Sequence, residues 1–379
     1  MTATYGERSL VEHKKYRGKV AINSTVPLGN ADDLSVYYSP WVAAPCLEIA
    51  ADPEKAYDYT RKSRTIAVVS DWSAVLGLGN IGGLAGLPVM EGKAVLFKQF
   101  GGVDAVPIVL STQDPDEIIR TVEAIAPTFG GINLEDIKAP ECFYIEEELK
   151  KRLNIPVFHD DQHGTAIVTL AGLINALELV QKDKADIKIV MSWAGAAAIA
   201  IAKLLVARGA RHIVMVDTKW ALYTGRFEGM NPYKEAIAVY NIHNEKWSIK
   251  DVISGADVFL GLSQPGVIDR TDITRMGRDP IVFAMSNPNP EIMPEEAIAG
   301  GAKIVATGRS DYPNQVNNVL VFPWLMKGAL QSRISQFTQQ HFLDAAHALA
   351  ALVETPTASM IIPSPFDDRV ADAVANSVK

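Results

Sequence analysis

At 379 residues and 41.1 kDa, with 48% hydrophobic and 21% charged residues, the chain has the make-up of a globular protein of two domains. Disordered, collagen-like and coiled-coil classes are excluded by the same composition. A balance of 36 basic against 44 acidic side chains, net −8 with no long basic run, argues against nucleic acid as a partner.

Cys46 and Cys142 are the only cysteines, which leaves no disulfide framework or zinc module and suits a reducing cytoplasm. The stretch 1–20 mixes Glu7, Arg8, Glu12, Lys14, Lys15 and Arg17 and lacks the apolar centre of a secretory signal, so export is not expected. The longest apolar run, Ile189–Ala202, falls short of the ~20 residues a membrane helix needs, and no membrane span is predicted.

Texture changes near residues 160 and 325 predict units at 1–160, 161–325 and 326–379. The first mixes apolar runs at Ala94–Phe97 and Val106–Leu110, read as strand-like, with a helical stretch at Asp114–Ala126, as a mixed α/β unit does. The second opens with a strand at Ile187–Met191, a glycine-containing turn at Trp193–Ala198, a helix to Arg208 and a strand at Ile213–Asp217. That is a βαβ unit. Short apolar segments at Val258–Leu262, Ile281–Met285 and Lys303–Thr307 then predict a doubly wound parallel sheet, so the fold class is α/β. The third holds a helix over Phe342–Leu352, a loop at Pro363–Pro365 and a last short helix, expected to pack back on the first unit.

Gly195, Ala196 and Ala197 stand where a dinucleotide fingerprint belongs, after a strand and opening a helix, with Asp217 at the end of the next strand. Such a turn admits a pyrophosphate at the helix N-terminus, and an acid at 217 to accept ribose hydroxyls favours NAD over NADP. Against this stands Trp193, in a slot that normally takes glycine.

Two acidic pairs, Glu135-Asp136 and Asp160-Asp161, offer the carboxylate oxygens that Mg²⁺ or Mn²⁺ requires, although each taken singly is more often a helix cap or solvated loop. His159 and His163 have zinc-like spacing, but no helix is expected before Gly164. Lys93 enters an apolar run, where desolvation or a nearby cation would lower its pKa and make it a base. Tyr38 precedes a turn and has a hydroxyl to donate.

Together the segments Tyr37–Cys46, Leu87–Lys93, Val157–Ala166, Ser286–Pro288, Gly308–Val319 and Ile361–Phe366 resemble the malic enzyme family in its short bacterial form, over essentially the whole chain. The phosphotransacetylase-like extension of longer members is not seen. The resemblance implies an N-terminal α/β substrate domain and a Rossmann-like NAD-binding domain. It implies Tyr38 as the acid that protonates the enol, Lys93 as base with Asp160 as an orienting carboxylate, and Glu135, Asp136 and Asp161 as metal ligands. Asn287 and Asn318 would hold the substrate carboxylate, Asn287 also facing the cofactor, while Ala74 stands where eukaryotic members carry an arginine.

The implied reaction is oxidative decarboxylation of L-malate to pyruvate and CO₂ by a homodimer using NAD and Mg²⁺ or Mn²⁺. A malolactic or oxaloacetate-decarboxylating activity would use the same groups, and an impaired nucleotide-binding protein would follow if Trp193 obstructs the turn. All six tryptophans, at 41, 72, 193, 220, 247 and 324, fall where the resembling family usually has glycine. A source organism that reads UGA as glycine would account for all of them. Trp41 and Trp324 follow prolines and Trp72 an aspartate, in slots where positive φ is often needed.

Overall fold

The computed structural model describes residues 4–74 and 79–379. Two parallel sheets organise it. The first has the order β2-β1-β3-β4, from β1 (Thr65–Ser70), β2 (Asp104–Val109), β3 (Gly131–Leu134) and β4 (Val157–His159). The second has the order β10-β9-β8-β5-β6-β7. Its strands are β5 (Lys188–Ser192), β6 (His212–Asp217), β7 (Trp220–Ala221), β8 (Val258–Gly261), β9 (Ile281–Ala284) and β10 (Ile304–Thr307), with only β7 antiparallel.

The strands β1, β3, β4, β8 and β9 are short, mainly apolar runs buried end to end, as strands covered by helices on both faces must be, while the edge strand β2 is half-buried. In the second sheet, β5 pairs with both β6 and β8, so the strand order reverses there and opens a crevice at the carboxyl ends. Ser192 closes its base by accepting from the Leu262 amide at 3.0 Å and bonding the Ser263 hydroxyl at 2.9 Å. The doubly wound sheet is as the sequence predicts.

The strand-like reading of Ala94–Phe97 is corrected: these residues belong to a helix, Gly83–Gly101. Its buried side chains Met90, Lys93, Ala94 and Phe97 recur every three to four positions, a helical stripe that a four-residue apolar run conceals. The helix expected to start no earlier than Gly164 begins at Asp160 and runs to Val180. By length and composition it would cross a membrane, yet most of its side chains, from Asp160 to Val180, are buried in the protein's interior.

The helix Phe322–Ser332 lies on Gly83–Gly101, with the rings of Phe97 and Phe322 4.8 Å apart in an edge contact. Burying each ring contributes roughly 1.5–3 kcal/mol. The helix Gln339–Ala351 lies on Asp160–Val180, where Asn175 donates to the carbonyls of Ala350 at 3.0 Å and Ile361 at 2.9 Å. In contrast, the helices Tyr5–Tyr16, Ala31–Tyr37 and Ala43–Ala51 bury no residue at all.

Candidate active site

Parallel register brings the acidic residues together. Leu134 is paired with His159, so the residues that leave β3 and β4 at their carboxyl ends, Glu135 and Asp160, emerge side by side. Asp160 opens its helix, and Asp161 turns back to accept from the Asp136 amide at 2.8 Å. From the middle of Gly83–Gly101, Lys93 reaches this edge and donates to Glu135 Oε1 at 2.9 Å and to Asp160 Oδ2. The ring of Phe322 lies 3.8 Å from the ammonium, a cation–π contact that covers the charge.

Asn318 donates to Asp160 Oδ2 and Asn133 to Glu135 Oε2, the latter at 2.8 Å. Asp160 Oδ1 is buried without a partner, an acceptor left free inside the site. Gly164 is required here, because a Cβ would overlap that same oxygen.

The electrostatics follow from crowding. Burial, then the charges of Asp161 and Glu135, push Asp136 up to about 9. Burial and the charge of Glu135 also push Asp160 up to about 8, against the pull of Lys93. Burial opposes the charge on Asp161 as well, but its bond to His159 Nε2, at 3.0 Å, holds it below the usual carboxylate range. For Lys93, burial is outweighed by the charges of Asp160 and Glu135, which raise it well above an ordinary lysine. The lowered pKa expected for Lys93 is therefore corrected: two anions surround it.

The zinc-like histidine pair is not formed. His159 bonds Asp161, while His163 donates to buried Glu146 at 2.7 Å. Among the described residues, no three His, Cys, Asp or Glu side chains converge on one point, since Lys93 and His159 hold the carboxylates. As donors, the three carboxylates of Glu135, Asp136 and Asp161 are hard oxygens of the kind Mg²⁺ and Mn²⁺ select, and their crowding is what a divalent charge relieves.

A cleft of about 510 Å³ runs from Asp161 past Ala74 and Lys138 to Trp193, Gly195, Ala196, Ala197 and Asp217. It joins the acidic edge of the first sheet to the switch-point crevice of the second. Gly195 caps the helix Ala196–Ala207, whose free amides face the cleft. Asp217 is there as expected, but its carboxylate is already engaged: Arg226 and Lys234 each donate at 2.7 Å. Burial works against its charge, yet Lys234 and Arg226 keep it below the usual range.

Two expected residues stand apart. Asn287 follows β9 and packs against Gly308, at an exposed position. Tyr38 caps the helix Ala31–Tyr37 and is 71% exposed, and among the described residues that helix buries nothing. Sequence reasoning missed Phe322, Asn133, Glu146, Arg226 and Lys234. Arg226, Lys234, Glu146 and Phe322 meet their partners 9, 17, 17 and 229 positions away, where no local pattern marks them, and Asn133, two positions from Glu135, reads as an ordinary strand residue.

Residues 17–150 match the family described as malic enzyme, N-terminal domain, and residues 162–378 that described as malic enzyme, NAD binding domain. The chain is 56% identical to the bifunctional malic/malolactic enzyme of Bacillus subtilis (strain 168), over 98% of this chain and 92% of that protein. It is 49% identical to the NADP-dependent malic enzyme of Escherichia coli (strain K12), over 95% of this chain and 50% of that longer protein. The crystal structure of the NAD-dependent malic enzyme from Thermotoga maritima superposes with a TM-score of 0.95 at 46% identity, covering 98% of each chain. The chain belongs to the malic enzyme family.

Proposed function

We propose that this protein oxidises L-malate at C2 with NAD and releases pyruvate and CO₂. The observation that carries this reading is the single cleft joining Asp161 to the Gly195 turn. It can hold a hydroxy acid beside Asp161 with a dinucleotide along the Ala196–Ala207 helix.

Glu135, Asp136 and Asp161 would hold Mg²⁺ or Mn²⁺, which supplies Lewis-acid polarisation of the C2 oxygen, as NAD supplies the hydride acceptor. In its neutral form Nζ of Lys93 takes the proton of the malate C2 hydroxyl, with Asp160, hydrogen-bonded to it through Oδ2, as the carboxylate that orients it. Phe322 excludes water from one side of the ammonium. Asn318, bonded to Asp160, and Asn287 at the end of β9 are assigned to the substrate carboxylate.

Protonation of the enol by Tyr38 is proposed for an assembled homodimer. Tyr5, Leu10, Tyr16, Leu28, Tyr38 and Leu47 are large exposed side chains on a segment whose helices bury nothing, as a surface awaiting a second copy would be. With Cys46 and Cys142 both free, we place the protein in the cytoplasm.

The test is incubation with L-malate, Mn²⁺ and either NAD or NADP, with a chelator as control. Equimolar NADH and pyruvate, lost on chelation, support the reading; lactate without net NADH makes it malolactic, and no turnover overturns it. A second reading, NADP, is favoured by Arg226 and Lys234 beside Asp217. Asp217→Ser would free both cations for a 2′-phosphate and is expected to shift kcat/KM toward NADP by at least ~10-fold. No shift would remove Asp217 from cofactor choice.

A further inference from the structure

Ten non-glycine residues among the described ones have φ in the left-handed region. Seven are Arg, Asp, Asn or Gln, polar side chains at helix ends and turns. The other three are Trp72, Trp193 and Trp220, half of the six tryptophans in the chain. A bulky aromatic residue has no reason to collect where glycine is favoured.

Each of the three sits in a turn of glycine geometry. Trp193, at φ 80°, leaves β5 while its amide donates to the Val216 carbonyl of β6 at 2.7 Å, so the backbone is pinned by the neighbouring strand. Its indole Nε1 stands 2.7 Å from where a Cβ on Gly195 would be, over the turn that receives a pyrophosphate. Trp220, at φ 77°, pairs back on Asp217 after the two-residue turn Thr218-Lys219, the position of the left-handed glycine in a bulged hairpin. Trp72, at φ 57°, is fully buried with its indole N–H unpartnered, and its ring presses on the helix backbone where a Cβ on Gly86 would overlap it.

Trp41, Trp247 and Trp324 have ordinary backbone, and Trp324 lies in a helix against Phe100. The positive φ expected at 41 and 324 is not found. Substitutions accepted one at a time would avoid the left-handed sites and settle in places like these. A misread codon strikes every tryptophan alike, whatever its conformation, and that is the observed distribution.

We propose that the polypeptide made by the source organism carries glycine at 41, 72, 193, 220, 247 and 324, each encoded by UGA read as glycine. The pyrophosphate turn is then Gly-Ala-Gly with an open floor, and the three strained turns relax.

The gene itself gives the first test: TGA at all six positions is expected, and TGG at any one of them overturns the proposal. Peptide masses of the protein from source cells should show glycine at these sites; tryptophan there overturns it equally. In recombinant protein, Trp193→Gly and Trp220→Gly are turn variants that do not open the core. Each is expected to raise Tm by roughly 2–5 °C, and the sixfold variant by more. Unchanged or lower Tm in both single variants overturns the proposal. Trp193→Gly should also tighten NAD binding at least ~10-fold by calorimetry, an arm that rests on the dinucleotide reading of the cleft. Higher Tm without NAD binding would leave the recoding standing and sink the cofactor assignment instead.

Discussion

Lys93 and Asp160 are joined in a buried ion pair between the middle of one helix and the first residue of another, 67 positions apart. Neither charge is tolerable alone in that interior, since removing one partner of a buried pair leaves the other uncompensated. The pair also sets the base of the proposed reaction beside the carboxylate that orients it. Lys93→Arg keeps the charge but cannot give up its proton. It is expected to fold, to bind malate, and to lose at least ~10²-fold in kcat. Stopped-flow kinetics giving kcat within a few-fold of the parent would remove Lys93 from proton transfer.

Gly164 tests how closely Asp160 must be held. A methyl group there would occupy the place of Asp160 Oδ1 and approach Asn318. Gly164→Ala is therefore expected to push the carboxylate aside and lower kcat by ~10–10²-fold while the circular dichroism spectrum is retained. Parent-like kinetics would show that the Asp160 position is not critical.

The crowded carboxylates make cation binding a proton-releasing event. Asp136, pushed up to about 9, is protonated at neutral pH and must ionise to become a ligand. Mn²⁺ titrated calorimetrically in buffers of different ionisation enthalpy should release about one proton near neutrality, declining as pH passes about 9. Affinity should accordingly tighten as pH rises toward that value. A pH-independent affinity with no proton release would exclude Asp136 as a titrating ligand.

Glu146 is expected to contribute to stability in acid. It accepts from His163 at 2.7 Å, from Gln162 at 3.0 Å and from Lys150 at 2.7 Å. Burial opposes its charge, but His163 and Lys150 hold it well below the usual carboxylate range. Because the folded-state pKa is depressed, its stabilisation is fully present above the ordinary value of 4.5 and is lost as pH falls from there toward the folded value. Glu146→Gln should therefore destabilise by about 1–3 kcal/mol at neutral pH. Urea melts should show the gap closing below pH 4.5; a gap of constant size would separate Glu146 from acid unfolding.

Much of the fold was legible because its signals are local. The strand, turn, helix and strand from Lys188 to Asp217 are contiguous, and their apolar periodicity is a property of neighbouring residues. The two acidic pairs were legible as chemistry for the same reason. Where periodicity was too short to decide, as at Ala94–Phe97, the reading failed.

Tertiary structure alone decided which charges meet. The register of β3 on β4 set Glu135 beside Asp160, and helix packing across the sheet delivered Lys93 to both. Folding of residues 226 and 234 back onto β6 neutralised Asp217, which the sequence presented as a bare acid. The pKa of a buried group depends on every charge within a few ångströms, and those neighbours come from distant parts of the chain. By itself the sequence determined the elements and the residue types at their ends; their electrostatic state was decided by packing, because Coulomb energies depend on distance in space rather than separation along the chain.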